Sequence, residues 1–414
     1  MIKPQAPKGF RDFLPPDARA RQFVAGKVRE VFERFGFAPI ETPTLEYASV
    51  IMGKYGEEAD KLVFRFTDRG ERELALRYDQ TVPTARLLVE YADRLPRFWR
   101  RYQIQNVFRA DKPQKGRFRE FTQCDIDIFG TTSPIADAEI LATTYFAFKN
   151  VGFTNVVLPI NDRQILFDNL TPFASETVTV FSLIQTIDKL QKIGDDGVVS
   201  ELVKKGLTSE NAKQALSTIR SAKPTQTLEK IMETATLLGV PKEALTFFPS
   251  LARGLDYYTN MIFEPIIPEY KAGALGGGGR YDNLIKELGG NPTPAVGIAF
   301  GFDRMVEAAG ELGLIPTGAT STQVLVTIFD ESSLPSSLSI ASKLRLAGIS
   351  TELFPGLDKL DKQLKYADRI AVPYVVIAGP EEIQKKVMKL KTMATKEQEE
   401  LSIEQVIDKL ANVS

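Results

Sequence analysis

The sequence of 414 residues contains no histidine, one cysteine and one tryptophan. Without an imidazole, neither a Ser-His-Asp nor a Cys-His nucleophile system can be assembled. His-ligated zinc is excluded for the same reason, and Cys124 alone cannot form a cysteine-only zinc site or an intrachain disulfide. No other side chain titrates near neutrality in its ordinary state, so proton shuttling would need a strongly shifted carboxylate or lysine. No apolar run approaches the roughly 18 residues of a membrane span. The Pro-containing start MIKPQAPKGF lacks the apolar core of a signal peptide, and low cysteine usage fits a reduced, cytoplasmic compartment. An excess of one charge is lacking too: 52 Lys+Arg face 53 Asp+Glu, which leaves room only for a local basic groove. Electrostatic chemistry remains: Arg and Lys on anions, carboxylates on Mg²⁺ or amines, and oriented backbone N–H groups.

At 43% hydrophobic and 25% charged, the composition is that of a globular protein, and the length suits two or three domains. The apolar spacing of Phe23, Val24, Val28, Val31, Phe32 and Phe35 predicts a helix over 17–35, turned out at Gly36. Two strand-like runs flank Arg69-Gly70, a helix follows over 82–91, and residues 99–108 and 118–129 alternate as a long antiparallel hairpin. Between about 170 and 248 only helix patterns occur, which reads as a helical module inserted between two parts of one sheet domain. The Pro/Gly-containing stretch 315–323 reads as a linker. Beyond it, strands and helices alternate β-α-β-α-β, arguing for a small α/β domain with a mainly parallel sheet. The expected organisation is therefore 1–169 and 249–314 as two parts of the sheet domain, 170–248 as the insert, and 324–414 as the C-terminal domain.

The densest charge anomaly lies between 86 and 119, where ten basic residues meet only Glu90, Asp93 and Asp111. Several of them share a predicted hairpin with Phe108, Phe118 and Phe121. A guanidinium can fork onto phosphate while a ring stacks on a base, so this region suits a nucleotide. Alone, a run of this kind is as readily a solvated surface. Gln123, Asp125 and Asp127 alternate along one strand and so share a face; if buried, they need partners, and a cationic amine is a suitable one. In Arg253-Gly254-Leu255-Asp256-Tyr257-Tyr258, adjacent tyrosines in extended backbone would point to opposite faces. The run Gly276–Gly279 would allow close backbone approach to a ligand, but neither a P-loop nor a dinucleotide fingerprint is present. Each of these signals is weak by itself.

Together they resemble the class II aminoacyl-tRNA synthetases, and among them the histidyl-tRNA synthetase family, over essentially the whole chain. KGFRDFLPPD and ETPTLE are similar to the family's N-terminus and motif 1, with Pro43 in the dimer interface. VFRADKPQKGRFREFTQCDIDIFG resembles motif 2, and AVGIAFGFDRM resembles motif 3. RGLDYYT and GGGGRYDNL resemble the two histidyl-specific segments, ALRYDQT the substrate-binding strand, and the C-terminal unit the anticodon-binding domain. The fold so implied is an α+β catalytic domain on an antiparallel sheet with a helical insert, plus a C-terminal α/β anticodon-binding-like domain.

The resemblance implies ATP and Mg²⁺ as cofactors, L-histidine and tRNA as partners, and a homodimer. It assigns Arg109 and Arg253 to the α-phosphate, Asp111 to the adenine amino group, Phe121 to the adenine face and Arg304 to the γ-phosphate. Asp79, Thr81, Gln123, Asp127, Tyr257 and Tyr258 would surround histidine, and Gln114 would approach the tRNA acceptor end. Asp111 stands where many bacterial members carry Glu. Adenylation uses the substrate's own carboxylate as nucleophile, so a chain without histidine suffices. The alternative is a catalytically silent paralogue serving as a regulatory subunit of ATP phosphoribosyltransferase. Such paralogues lack the C-terminal domain that is expected here.

Overall fold

A computed structural model describes residues 4–52, 61–113, 118–252, 257–316 and 320–411. These fall into two compact units, one of residues 1–12 with 20–315 and one of residues 13–19 with 316–414.

The first unit holds strands β1 (Ala38–Pro39), β2 (Leu45–Tyr47), β3 (Arg65–Thr67), β4 (Glu73–Leu76), β5 (Trp99–Phe108) and β6 (Glu120–Phe129). It continues with β7 (Leu158–Asp162), β8 (Leu245–Phe247), β9 (Met261–Phe263), β10 (Gly276–Arg280) and β11 (Ala295–Phe300). Eight of them form one sheet in the order β1-β5-β6-β11-β10-β9-β7-β8, antiparallel except for the edge pairs β1–β5 and β7–β8. Strands β2, β4 and β3 make a small separate antiparallel sheet. The long hairpin β5–β6 pairs ten residues with ten, Trp99 opposite Phe129 through Phe108 opposite Glu120.

Period-two alternation splits this hairpin into a dry face and a polar one. Tyr102, Ile104, Cys124, Ile126 and Ile128 join a core with Val24, Val28, Val31 and Phe32 of helix Pro15–Arg34 and with the buried stripe of helix Pro134–Val151. Both helices end on glycines in the left-handed region, Gly36 at φ +76° and Gly152 at φ +117°. Arg101, Gln103, Gln123, Asp125 and Asp127 occupy the opposite face, all buried.

Helices cover Val180–Ile187, Leu190–Lys205, Ser209–Ser221 and Gln226–Leu237, but the all-helical expectation up to 248 fails at its end. Leu245–Phe247 is strand β8, pairing parallel with Leu158–Ile160 at the sheet edge. Three residues bounded by a 3₁₀ turn and Pro249 are too short to show a strand period. Helix Gln226–Leu237 buries Leu228, Ile231 and Ala235 in the same core as helix Pro134–Val151.

In the second unit, β12 (Val324–Val326), β13 (Thr351–Leu353), β14 (Tyr374–Ile377), β15 (Met388–Thr392) and β16 (Gln398–Leu401) order as β13-β12-β14-β15-β16. The pairs of β12 are parallel, whereas β14–β15 and β15–β16 are antiparallel. The sheet is thus mixed rather than mainly parallel. Its charged hairpin buries Met388 and Leu390 while turning Lys389 and Lys391 outward, so composition hides the alternation.

Candidate active site

The polar face of β6 carries Phe121, Gln123, Asp125 and Asp127 in series, spaced about 7 Å apart by strand geometry. At its far end Asp127 is pinned from three directions. Arg101, its cross-strand partner, forms a fully buried ion pair with it, and Tyr281 donates its hydroxyl hydrogen bond to Asp127 Oδ1. Opposite Asp127 on β11 lies Gly297, where a Cβ would overlap the carboxylate and sit 2.5 Å from the Ile126 carbonyl oxygen. Burial raises the Asp127 pKa, opposed by Arg101 and by the Tyr281 hydrogen bond. Burial beside Asp127 also pushes the Tyr281 hydroxyl well above its ordinary value. The amine partner expected for these acids is therefore supplied to Asp127 by the chain itself, as Arg101.

Asp79 is buried, and its Oδ1 accepts the Val82 N–H at 3.1 Å, at the start of the helix Thr81–Glu90. That anchoring places Thr81 in the helix's first turn. Neighbouring Gln80 reaches back over the hairpin, its Nε2 donating to the carbonyls of Gln105 at 2.9 Å and Gln123 at 3.1 Å. Arg77 secures the preceding segment by donating to the Thr42 carbonyl at 2.8 Å and the Asn106 carbonyl at 2.6 Å. Tyr257 and Tyr258 do not point to opposite faces. They lie next to a turn rather than in a strand, with ring centroids 4.8 Å apart, and Tyr257 meets Tyr281 at 5.7 Å.

Gly276, Gly278 and Gly279 of β10 meet protein closely. A Cβ at Gly278 would lie 2.7 Å from the Phe263 ring, and one at Gly279 would lie 2.9 Å from the Tyr258 ring. Their role is to let β9, β11 and Tyr258 close on the strand.

At the near end of β6 an open pocket of about 400 Å³ is lined by Arg109, Asp111, Phe121 and Arg304, with Phe118 and Asp303. Four of the five residues expected at ATP thus converge here; the fifth is Arg253. The Arg109 guanidinium is held between rings, 4.4 Å from the Tyr78 centroid and 5.0 Å from that of Phe121, while its Nε donates to the Tyr78 carbonyl at 3.2 Å. Arg304 donates to the Ala274 carbonyl at 3.1 Å. Among the described residues no carboxylate pairs with either guanidinium, whereas Asp303 is neutralised by Arg11 and by Arg21 at 2.6 Å. Such a pocket favours a polyanion.

Sequence reasoning missed Arg11, Arg21 and Asp303 entirely. Arg21 also donates to Thr122 Oγ1 at 2.6 Å, and the Arg11 guanidinium stacks 3.4 Å from the Phe118 centroid. No spacing signal links positions nearly 300 apart; KGFRDFLPPD and AVGIAFGFDRM mark two of the segments but not the contact between them. Arg253 and Gln114 lie outside the described residues, as do the other three residues of the run RGLD.

Residues 9–305 match the sequence model of histidyl-tRNA synthetase, and residues 323–413 match that of an anticodon binding domain. The chain is 37% identical to the histidine–tRNA ligase of Cytophaga hutchinsonii, covering 99% of this chain and 100% of that one. It is 38% identical to the corresponding ligase of Christiangramia forsetii, over 96% of this chain and 97% of the other. The crystal structure of histidyl-tRNA synthetase from Nostoc sp. PCC 7120 superimposes with a TM-score of 0.88 at 29% identity, each chain covered completely.

Proposed function

This chain belongs to the histidyl-tRNA synthetase family, and from that premise we propose that it attaches L-histidine to its tRNA through a histidyl-adenylate, with the roles below. The observation that carries the assignment is the shared face of β6: Phe121 lines the nucleotide pocket, and Gln123 and Asp127 follow it along the same strand face. One strand then presents ATP and the amino acid end to end.

In this reading adenine lies against Phe121, with Asp111 at its amino group. Arg109 meets the α-phosphate and Arg304 the γ-phosphate. Asp79, Thr81 and Gln123 take the ammonium end of histidine, while Asp127, Tyr257 and Tyr258 enclose its ring. The histidine carboxylate oxygen attacks the α-phosphorus, the bond to the bridging α–β oxygen breaks, and pyrophosphate leaves. Charge growing on the phosphoryl oxygens is met by guanidinium groups already in place, and reaction rate follows from their fixed positions. A ribose hydroxyl of tRNA then attacks the adenylate carbonyl; AMP leaves and its phosphate accepts the proton. No imidazole enters any step.

Mg²⁺ fits this pocket only as a companion of ATP. Among the described residues no three carboxylates converge as ligands, and Mg²⁺ commonly binds through substrate phosphates and one or two carboxylates. The residues from Val324 to Ser414 hold 12 Lys+Arg against 13 Asp+Glu, so anticodon recognition there would rest on stacking and hydrogen bonds more than on charge. Among the described residues no helix is long and apolar enough to cross a membrane.

ATP–pyrophosphate exchange driven by histidine tests the reading, and its absence in folded protein would refute it. A homodimer through the Pro43 region is part of the proposal. Sedimentation as a monomer at micromolar concentration would count against that part.

A further inference from the structure

One buried carboxylate on the polar face of β6 has no task in the scheme above. Resting on the synthetase reading, we propose that Asp125 binds the cationic end of the amino-acid substrate and gives up a proton to solvent as it does so.

Asp125 is 2% exposed, and its Oδ1 accepts no hydrogen bond from the described residues. A carboxylate so placed must take a proton or a cation, because leaving it bare is too costly. Its two cross-strand neighbours among the described residues offer no donor, and Arg101, whose Nε also has no hydrogen-bond partner, directs its ion pair to Asp127. Across the sheet it faces Gln103 on β5 and Ala299 on β11. Both hydrogens of the Gln103 amide are already used, on Thr42 Oγ1 at 2.8 Å and Gln105 Oε1 at 2.5 Å. Gln123 Oε1, the next residue on the same face, also lacks a donor among the described residues, as does the fully buried Oε1 of Gln80. Gln80 lies against Gln123 through its hydrogen bond to that residue's carbonyl. Three buried acceptors without donors call for a ligand group made only of donors. An ammonium has three N–H bonds and a positive charge.

The charges agree. Arg101 and Arg109 favour ionised Asp125, while Asp127 on its own strand and Asp79 beside the helix Thr81–Glu90 oppose it. Cys124 projects to the opposite face of β6, into the dry core. Of the two cations, Arg101 is already ion-paired with Asp127. Burial, the largest influence, raises the Asp125 pKa well above its ordinary value, which favours the protonated carboxyl until a cation pairs with it. When the ammonium arrives, the O–H bond of Asp125 breaks, the proton leaves to solvent and the carboxylate pairs with the ligand.

The test is Asp125→Asn in the full chain, which keeps the shape and removes the ionisation. In histidine-driven ATP–pyrophosphate exchange the KM for histidine should rise about tenfold to a hundredfold, with the KM for ATP unchanged. Calorimetry of histidine binding in two buffers of different ionisation enthalpy should show proton release by the unaltered protein, beyond the ligand's own ionisation, and none by the variant. A merely structural residue would move both KM values and leave the proton count alone. A histidine KM within twofold of the parent and an equal proton count overturn the proposal. Should the variant not fold, the unaltered protein decides, since histidine binding without proton release also overturns it. Exchange absent from the unaltered protein would instead bring down the synthetase reading itself.

Discussion

Gly297→Ala is the smallest change that tests how Asp127 is held. The added Cβ would overlap Asp127 Oδ1 and lie 2.5 Å from the Ile126 carbonyl oxygen and 2.6 Å from Asp127 Cγ. Comfortable carbon contacts begin near 3.5 Å. The Ile126 carbonyl belongs to the ladder between β6 and β11, so the carboxylate must be the group that swings away. It then leaves the Tyr281 hydroxyl and the Arg101 guanidinium, which is 0% exposed, without their partner. Overpacking costs about 1–3 kcal/mol, and breaking a buried ion pair from one side about 3–5 kcal/mol. We expect a total near 4 kcal/mol, because the swing relieves part of the clash. In a scan the unit carrying the pocket should melt roughly 5–10 °C lower. In pyrophosphate exchange the histidine KM should rise at least about tenfold, while the ATP KM, which the proposed roles assign to Phe121 and Arg109, should stay within twofold. Unchanged melting together with an unchanged histidine KM would refute the claim that Gly297 exists to seat Asp127.

Three further outcomes follow from the same geometry. Gly26 lies inside the helix Pro15–Arg34 and a Cβ there meets nothing within 4 Å, so Gly26→Ala should stabilise by about 0.5–1 kcal/mol in thermal unfolding. Asp125 ionises near 3.8 when unfolded and higher when folded, so the native state holds more protons between the two values. Its contribution to stability is therefore present below 3.8 and lost as pH rises through the folded value; Asp125→Asn should melt higher than the parent near neutrality, and a lower melting point would contradict this. Arg253→Ala should slow adenylation by about two to three orders of magnitude with the fold intact, as removal of one fixed charge stabiliser does. Near-normal kcat would remove Arg253 from its assigned role.

Periodicity made the β5–β6 hairpin and its polar face legible, because alternation is a local property of ten consecutive residues. It placed Gln123, Asp125 and Asp127 together without help from any resemblance. It could not show that Arg101, on the neighbouring strand, would take Asp127 as its partner, since register between strands is a tertiary outcome. Nor could it bring Arg11 and Arg21 to Asp303, contacts whose ends lie 292 and 282 residues apart. The glycine run of β10 is visible in the sequence, but strand-to-strand crowding and ligand approach leave the same mark there, and only the structure shows the crowding at Gly278 and Gly279. Strand β8 and the hairpin β15–β16 were hidden by shortness and by charge respectively.

The pinning of Asp127 also constrains how a chain of this kind can change. Its four participants, Arg101, Asp127, Tyr281 and Gly297, come from β5, β6, the residue after β10, and β11. Replacing any one alone strands a buried charge or hydroxyl, or drives a methyl into a carboxylate. Their mutational effects should therefore be strongly non-additive, each substitution tolerable only in the company of others. A lineage drifting one codon at a time meets a barrier at every first step. Under the proposed roles, recoding the pocket for another amino acid would demand several changes at once, so the ion pair at Asp127 would also protect the site from gradual loss of identity.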